Sequence, residues 1–173
     1  APGTTASIQW TLIPTLDAAP TGPTEYRVGG VLSYTQNGTR ITVPLADVPI
    51  TVYPGPELVL DYFHQRDVFS DDPFTDEVEP AIPYSLGVMV RNVGRGEARN
   101  FRITSGQPRI VDNEKGLLID FNLIGTEVSG QNLTPSLTAN FGNIAAGTNG
   151  IGRWLFTSSL QGLFTEYKAT FEH

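Results

Sequence analysis

The sequence predicts an all-β protein: antiparallel strands packed as a two-sheet sandwich of about seven strands, preceded by a smaller β segment. Three observations carry the prediction. Apolar and polar residues alternate in short runs, the period of a half-buried strand. The runs are separated by turn chemistry, with 18 Gly and 13 Pro in 173 residues. A helical 3.6 period is nearly absent.

In chain order, Ile8, Trp10 and Leu12 share one face of the first run. Tyr26, Val28, Leu32 and Tyr34 share a face of the second, and Ile41, Val43 and Leu45 line the third. Between the second and third stands Asn37-Gly38, whose tolerance of positive φ suits a type I′ hairpin. The fourth run, Val48 to Tyr53, ends at Pro54-Gly55-Pro56, which lacks two of three backbone donors and cannot continue a ladder. A module boundary is therefore expected there, with a β segment over 1–53 and a sandwich over 57–173. The first segment reads as the closing part of an upstream sandwich or as a small sheet packed on the second module. The ends, Ala1-Pro2-Gly3 and a strand-like run up to His173, suggest a piece excised from something longer.

Seven further strands are expected at Leu58–Phe63, Tyr84–Arg91, Arg99–Thr104, Leu117–Ile124, Leu137–Ile144, Ile151–Thr157 and Phe164–Phe171. In the second of these, Tyr84, Leu86, Val88 and Val90 fall on one face. In the last, Tyr167, Ala169 and Phe171 oppose Glu166, Lys168, Thr170 and Glu172. Seven short alternating strands with turns between them are what an Ig-like β-sandwich needs. Trp10 and Trp154 alternate with apolar neighbours and are expected in the core.

Composition excludes several classes. No cysteine is present, so neither a disulfide nor a Cys-rich metal site can form. With 39% hydrophobic residues and only 17% charged, the chain can bury a core. A net charge of −7, with lysine only at positions 115 and 168 beside nine arginines, argues against a nucleic-acid surface. Neither a membrane span nor a signal peptide is visible.

The run from Leu86 to Phe101 places an alternating apolar strand before Asn92-Val93-Gly94, then a small residue and a second strand. Asn140-Phe141-Gly142-Asn143-Ile144 precedes Ala145-Ala146-Gly147-Thr148 in a strand-and-turn pattern. Over 57–173 the chain resembles the CARDB-like and related Ig-like β-sandwich repeats of large bacterial-type surface and secreted proteins. The long loop from His64 to Pro83 and the stretch Arg109–Gly116 depart from that pattern. The resemblance implies a non-enzymatic structural or adhesive extracellular module whose partners are neighbouring modules or other surface proteins. A carbohydrate-binding accessory module, with a glycan stacked on Trp10, Trp154, Tyr34 or Tyr53, is the alternative. So is a subunit of an extracellular fibre or layer.

Candidate sites are few. Asp67 to Glu79 gathers six carboxylates, Asp67, Asp71, Asp72, Asp76, Glu77 and Glu79. Clustered loop carboxylates suit calcium, although the EF-hand spacing is missing. A solvated acidic loop tethered by Phe69 and Phe74 is the plainer reading of the same residues. His64 beside Asp67, the Ser158-Ser159 pair, and Asp112 with Glu114 beside Lys115 lack the patterns of a catalytic site. Gly94-Arg95-Gly96 reads as a hairpin turn and not a phosphate loop. Asn37-Gly38-Thr39 and Asn132-Leu133-Thr134 are N-glycosylation sequons, expected on the surface.

Overall fold

The protein is described from a computed structural model, which covers residues 5, 7–105, 108–109, 119–163, 166–167 and 169–173. The expected beginnings of two strands, at Leu117 and Phe164, lie outside these residues, as do Asp112, Glu114 and Lys115. The fold is all-β, and the chain divides into two compact units, Ala1–Gly55 and Pro56–His173.

The first unit contains a 3₁₀ turn, Leu16–Ala18, and four strands: β1 (Thr24–Val28), β2 (Val31–Gln36), β3 (Thr39–Pro44) and β4 (Val48–Val52). They form two antiparallel ribbons, β1 with β4 and β2 with β3. The β2–β3 turn is Asn37-Gly38, with φ of 50° and 78°, the two positive values that type I′ requires. The strand expected around Ile8, Trp10 and Leu12 does not form, because no ladder reaches residues 7–13. Trp10 is consequently 73% exposed and not a core residue. Ala19 is the one hydrophobic residue of this unit that is buried, among the described residues.

The second unit contains β5 (Leu58–His64), β6 (Asp67–Val68), β7 (Tyr84–Asn92), β8 (Ala98–Ser105), β9 (Pro108–Arg109), β10 (Phe121–Val128), β11 (Gln131–Leu133), β12 (Ala139–Ile144), β13 (Asn149–Ser158), β14 (Gly162–Leu163), β15 (Glu166–Tyr167) and β16 (Thr170–Glu172). A five-stranded antiparallel sheet runs in the order β11-β10-β13-β7-β5, and a three-stranded sheet in the order β12-β8-β16. Short pairs β6–β14 and β9–β15 complete the described ladders. The terminal run expected as one strand, Phe164–Phe171, instead holds two short strands with different partners, β15 on β9 and β16 on β8.

The inner faces of the two sheets share one core. Tyr84, Leu86, Val88 and Val90 of β7 and Trp154 and Phe156 of β13 meet Ala98, Phe101 and Ile103 of β8 and Ala139 and Ile144 of β12. The strict alternation of β7, buried at every second residue, is what the sequence reading required. Trp154 is fully buried, as expected, and its indole N–H donates to the Ser136 carbonyl at 3.0 Å. Removing a side chain of this kind costs about 3–5 kcal/mol. The outer face of the five-stranded sheet carries the ion pairs Arg91–Asp61 and Arg153–Glu127. Half-exposed pairs contribute about 1 kcal/mol at most, so the inner face decides stability.

Two bulges reset the alternation. Asn100 has φ 52° and Gly142, which pairs with Phe101, has φ 69°, and the β8–β12 register slips there. Ala98, Phe101 and Ile103 therefore all point inward although the first two are three residues apart. In β10 the slip between Leu123 and Gly125 turns Ile124 outward and Thr126 and Val128 inward. That strand also ends at Val128, four residues later than expected.

Candidate functional site

Asn92 lies where four stretches of the second unit converge. Its Nδ2 donates to the carbonyls of Gly96 at 2.7 Å and Ile144 at 3.0 Å, and its Oδ1 accepts from the N–H of Gly94 at 3.1 Å and Glu57 at 3.3 Å. Its backbone N–H donates to Thr148 and its carbonyl accepts from Gly147. The residue is 1% exposed, so each of these bonds is made in a desolvated setting where an unmade one is expensive. The segment Asn92 to Gly96 is not the expected hairpin turn. It carries the chain from β7 in one sheet to β8 in the other, and the Asn92 amide supplies bonds that a hairpin ladder would otherwise supply.

The acidic loop is held by its own carboxylates. Glu79 accepts from the Asp72 N–H at 2.9 Å and from the Thr75 hydroxyl at 3.1 Å. Asp71 accepts from the Glu79 N–H at 3.1 Å, and Asp72 from the Phe74 N–H at 3.0 Å. The Asp72 N–H, and then the Thr75 hydroxyl, hold the Glu79 carboxyl below its ordinary value of 4.5. Asp67 sits in β6, while Asp76 and Glu77 are exposed. Among the described residues, no three His, Asp or Glu side chains come together as a metal site would need. Phe69 and Phe74, expected to tether the loop, are 51% and 67% exposed and lie outside the core. Val68, 2% exposed, and Ser70, whose hydroxyl donates to the Ser158 carbonyl at 2.7 Å, anchor the loop to the sandwich. The Gln161 N–H adds a bond to the Asp71 carbonyl.

The residues weighed for catalysis are dispersed. His64 is exposed at the end of β5, and Asp61 of the same strand is paired with Arg91. Ser158 is buried, with its hydroxyl donated to the Leu160 carbonyl at 2.7 Å. The Ser159 hydroxyl accepts from the Asp120 N–H. The Tyr84 phenol, raised well above its ordinary value by burial, belongs to the core, stacked on Phe156 and edge-on to Phe121. Both sequon asparagines are exposed, Asn37 in the β2–β3 turn and Asn132 on the edge strand β11.

A cavity of about 520 Å³ lies in the first unit, against the face of the β1–β4 ribbon that presents Tyr26, Val28, Ile50 and Val52. Leu12, Ile13 and Tyr53 also line it. Tyr53 is 70% exposed, and the Tyr26 hydroxyl donates to the Ala18 carbonyl at 2.6 Å. The sequence reading missed this cavity. The alternation of β1 and β4 named the residues, but their cross-strand pairing of Tyr26 with Ile50 is a tertiary fact. Comparison with protein-family models, with curated proteins and with solved structures finds no match for this chain.

Proposed function

We propose that the chain is a non-enzymatic structural β-sandwich module, one piece of a larger extracellular or cell-surface protein. The observation that carries this reading is the use to which the second unit puts its buried and half-buried polar groups. Asn92, Ser70, Thr126, Ser158, Asp71 and Glu79 are all bonded to the unit's own backbone. Such bonds tie loops and sheet crossings to the sandwich, which is what a spacer under tension needs. N–H donors to Asp71, Asp72 and Glu79 close the acidic loop from within, and calcium at the remaining carboxylate oxygens would stiffen it further. An Ig-like topology and kinship with CARDB-like repeats belong to the same proposal.

Pulling the full chain by its ends in a single-molecule instrument tests it. The expected record is one abrupt event for the second unit, lengthening the chain by about 40 nm at ~3.5 Å per residue. A gradual, low-force extension of that unit would overturn the reading. One observation favours the second reading, a carbohydrate-binding module: exposed Trp10 and Tyr53 belong to the same unit as the apolar cavity. Retention of the chain on insoluble polysaccharide, abolished by Tyr53→Ala, would replace the structural reading with that one.

A further inference from the structure

The first unit has a strand without a sheet and a sheet without a cover. Ser7 to Ile13 alternates as a half-buried strand should, yet it joins no ladder, and Ile8, Trp10, Leu12 and Ile13 keep 72%, 73%, 56% and 85% of their surface exposed. Among the described residues the β1–β4 ribbon has two strands, each with an edge that no described strand pairs. A two-stranded ribbon is marginal in water without further strands or a packed face. The ribbon's apolar face opens onto the 520 Å³ cavity, which Leu12 and Ile13 line but Ile8 and Trp10 do not.

We infer that Ser7–Thr11 of one copy adds as a strand to the β1–β4 ribbon of a second copy, whose own Leu12 and Ile13 keep lining the cavity, with the added Trp10 seated there beside Tyr53. A reciprocal exchange then pairs two chains through a two-fold axis. Charge selects this occupant. Ser7 to Pro14 carries no charge, and the first unit as a whole has two arginines against three carboxylates. The lining Arg27 is already beside Glu25 at 3.6 Å. The first unit is thus net −1 and the second net −6, so copies approaching through the second unit repel more strongly than copies meeting through the first. Area agrees. Ile8 and Trp10, 72% and 73% exposed, at about 150 Å² each give on the order of 300 Å² per arm, and two arms with their acceptor surfaces give about 1,200 Å². That reaches the size of a specific, stable interface.

The inference rests on the structural reading and adds a way for modules to join. Sedimentation of the full chain from roughly 1 to 200 μM is the test, a range chosen to bracket the micromolar dissociation expected of a modest interface. The expected result is a dimer at the upper end, with the dissociation constant raised tenfold or more by Trp10→Ser on the donor side and by Tyr53→Ser on the acceptor side. Both residues are at least 70% exposed, so neither change removes core packing, and the amide resonances of β1 to β4 report that the first unit stays folded. Ile151→Ser, on the outer face of the second unit, is expected to leave the dimer unchanged. A monomer throughout the range overturns the exchange, as does a dimer insensitive to Trp10→Ser. Either outcome leaves the pulling result untouched, whereas retention on polysaccharide overturns the structural reading itself.

Discussion

Single residues decide how loops attach to this sandwich. Replacing Asn92 by Ala removes four side-chain hydrogen bonds and strands the carbonyls of Gly96 and Ile144 in a desolvated corner. The expected loss is about 2–4 kcal/mol, read from urea unfolding followed by Trp154 fluorescence. Glu79 sets a pH dependence. Its pKa is lower in the folded chain than in the unfolded one, so its contribution is complete above the ordinary value of 4.5 and is lost as the pH falls through the depressed folded value. Protection of the Asp72 amide from hydrogen exchange, once corrected for intrinsic rate, is therefore expected to weaken on acidification below about pH 4.5. Glu79→Gln should remove that pH dependence. The sequence marked Glu79 only as one of six carboxylates; its role comes from a turn that brings it back to Asp72.

At the level of elements, the sheets are fitted to each other through glycine. Phe141 of β12 lies over Gly150 and Gly152 of β13, where an added Cβ would stand 2.9 Å and 2.7 Å from the ring. Gly152→Ala is expected to destabilise the chain by about 1–3 kcal/mol, because the ring must shift or the sheets must part. In the Phe141→Leu background the penalty should shrink, and a double-mutant cycle measured by chemical denaturation checks it. The alternation of β7 and the burial of Trp154 were legible in the sequence, since each strand carries its own period. The bulges at Asn100 and in β10 were not. A bulge is set by the partner strand opposite, and a single run of residues does not name its partner. For the same reason Asn92-Val93-Gly94 reads locally as a hairpin although its two strands enter different sheets.

For the whole molecule, the two units differ in how far they satisfy themselves. The second buries an aromatic and aliphatic core between two sheets, while the first leaves Trp10, Ile13, Val31 and Tyr53 more than half exposed and buries only Ala19 among its described hydrophobic residues. The six carboxylates of the acidic loop were legible as a cluster. The convergence of Asp71, Asp72 and Glu79 on backbone N–H groups was not, because it depends on the path of the loop in space. The sequence by itself determined the all-β class, the Asn37-Gly38 hairpin and the inward face of β7, all consequences of local sterics and a two-residue period. Only the tertiary structure decided which strands pair, that Asn92 bridges two sheets, and that the alternating run at Ile8, Trp10 and Leu12 remains uncovered. Burial is a property of what lies opposite a residue, and local pattern is silent about that.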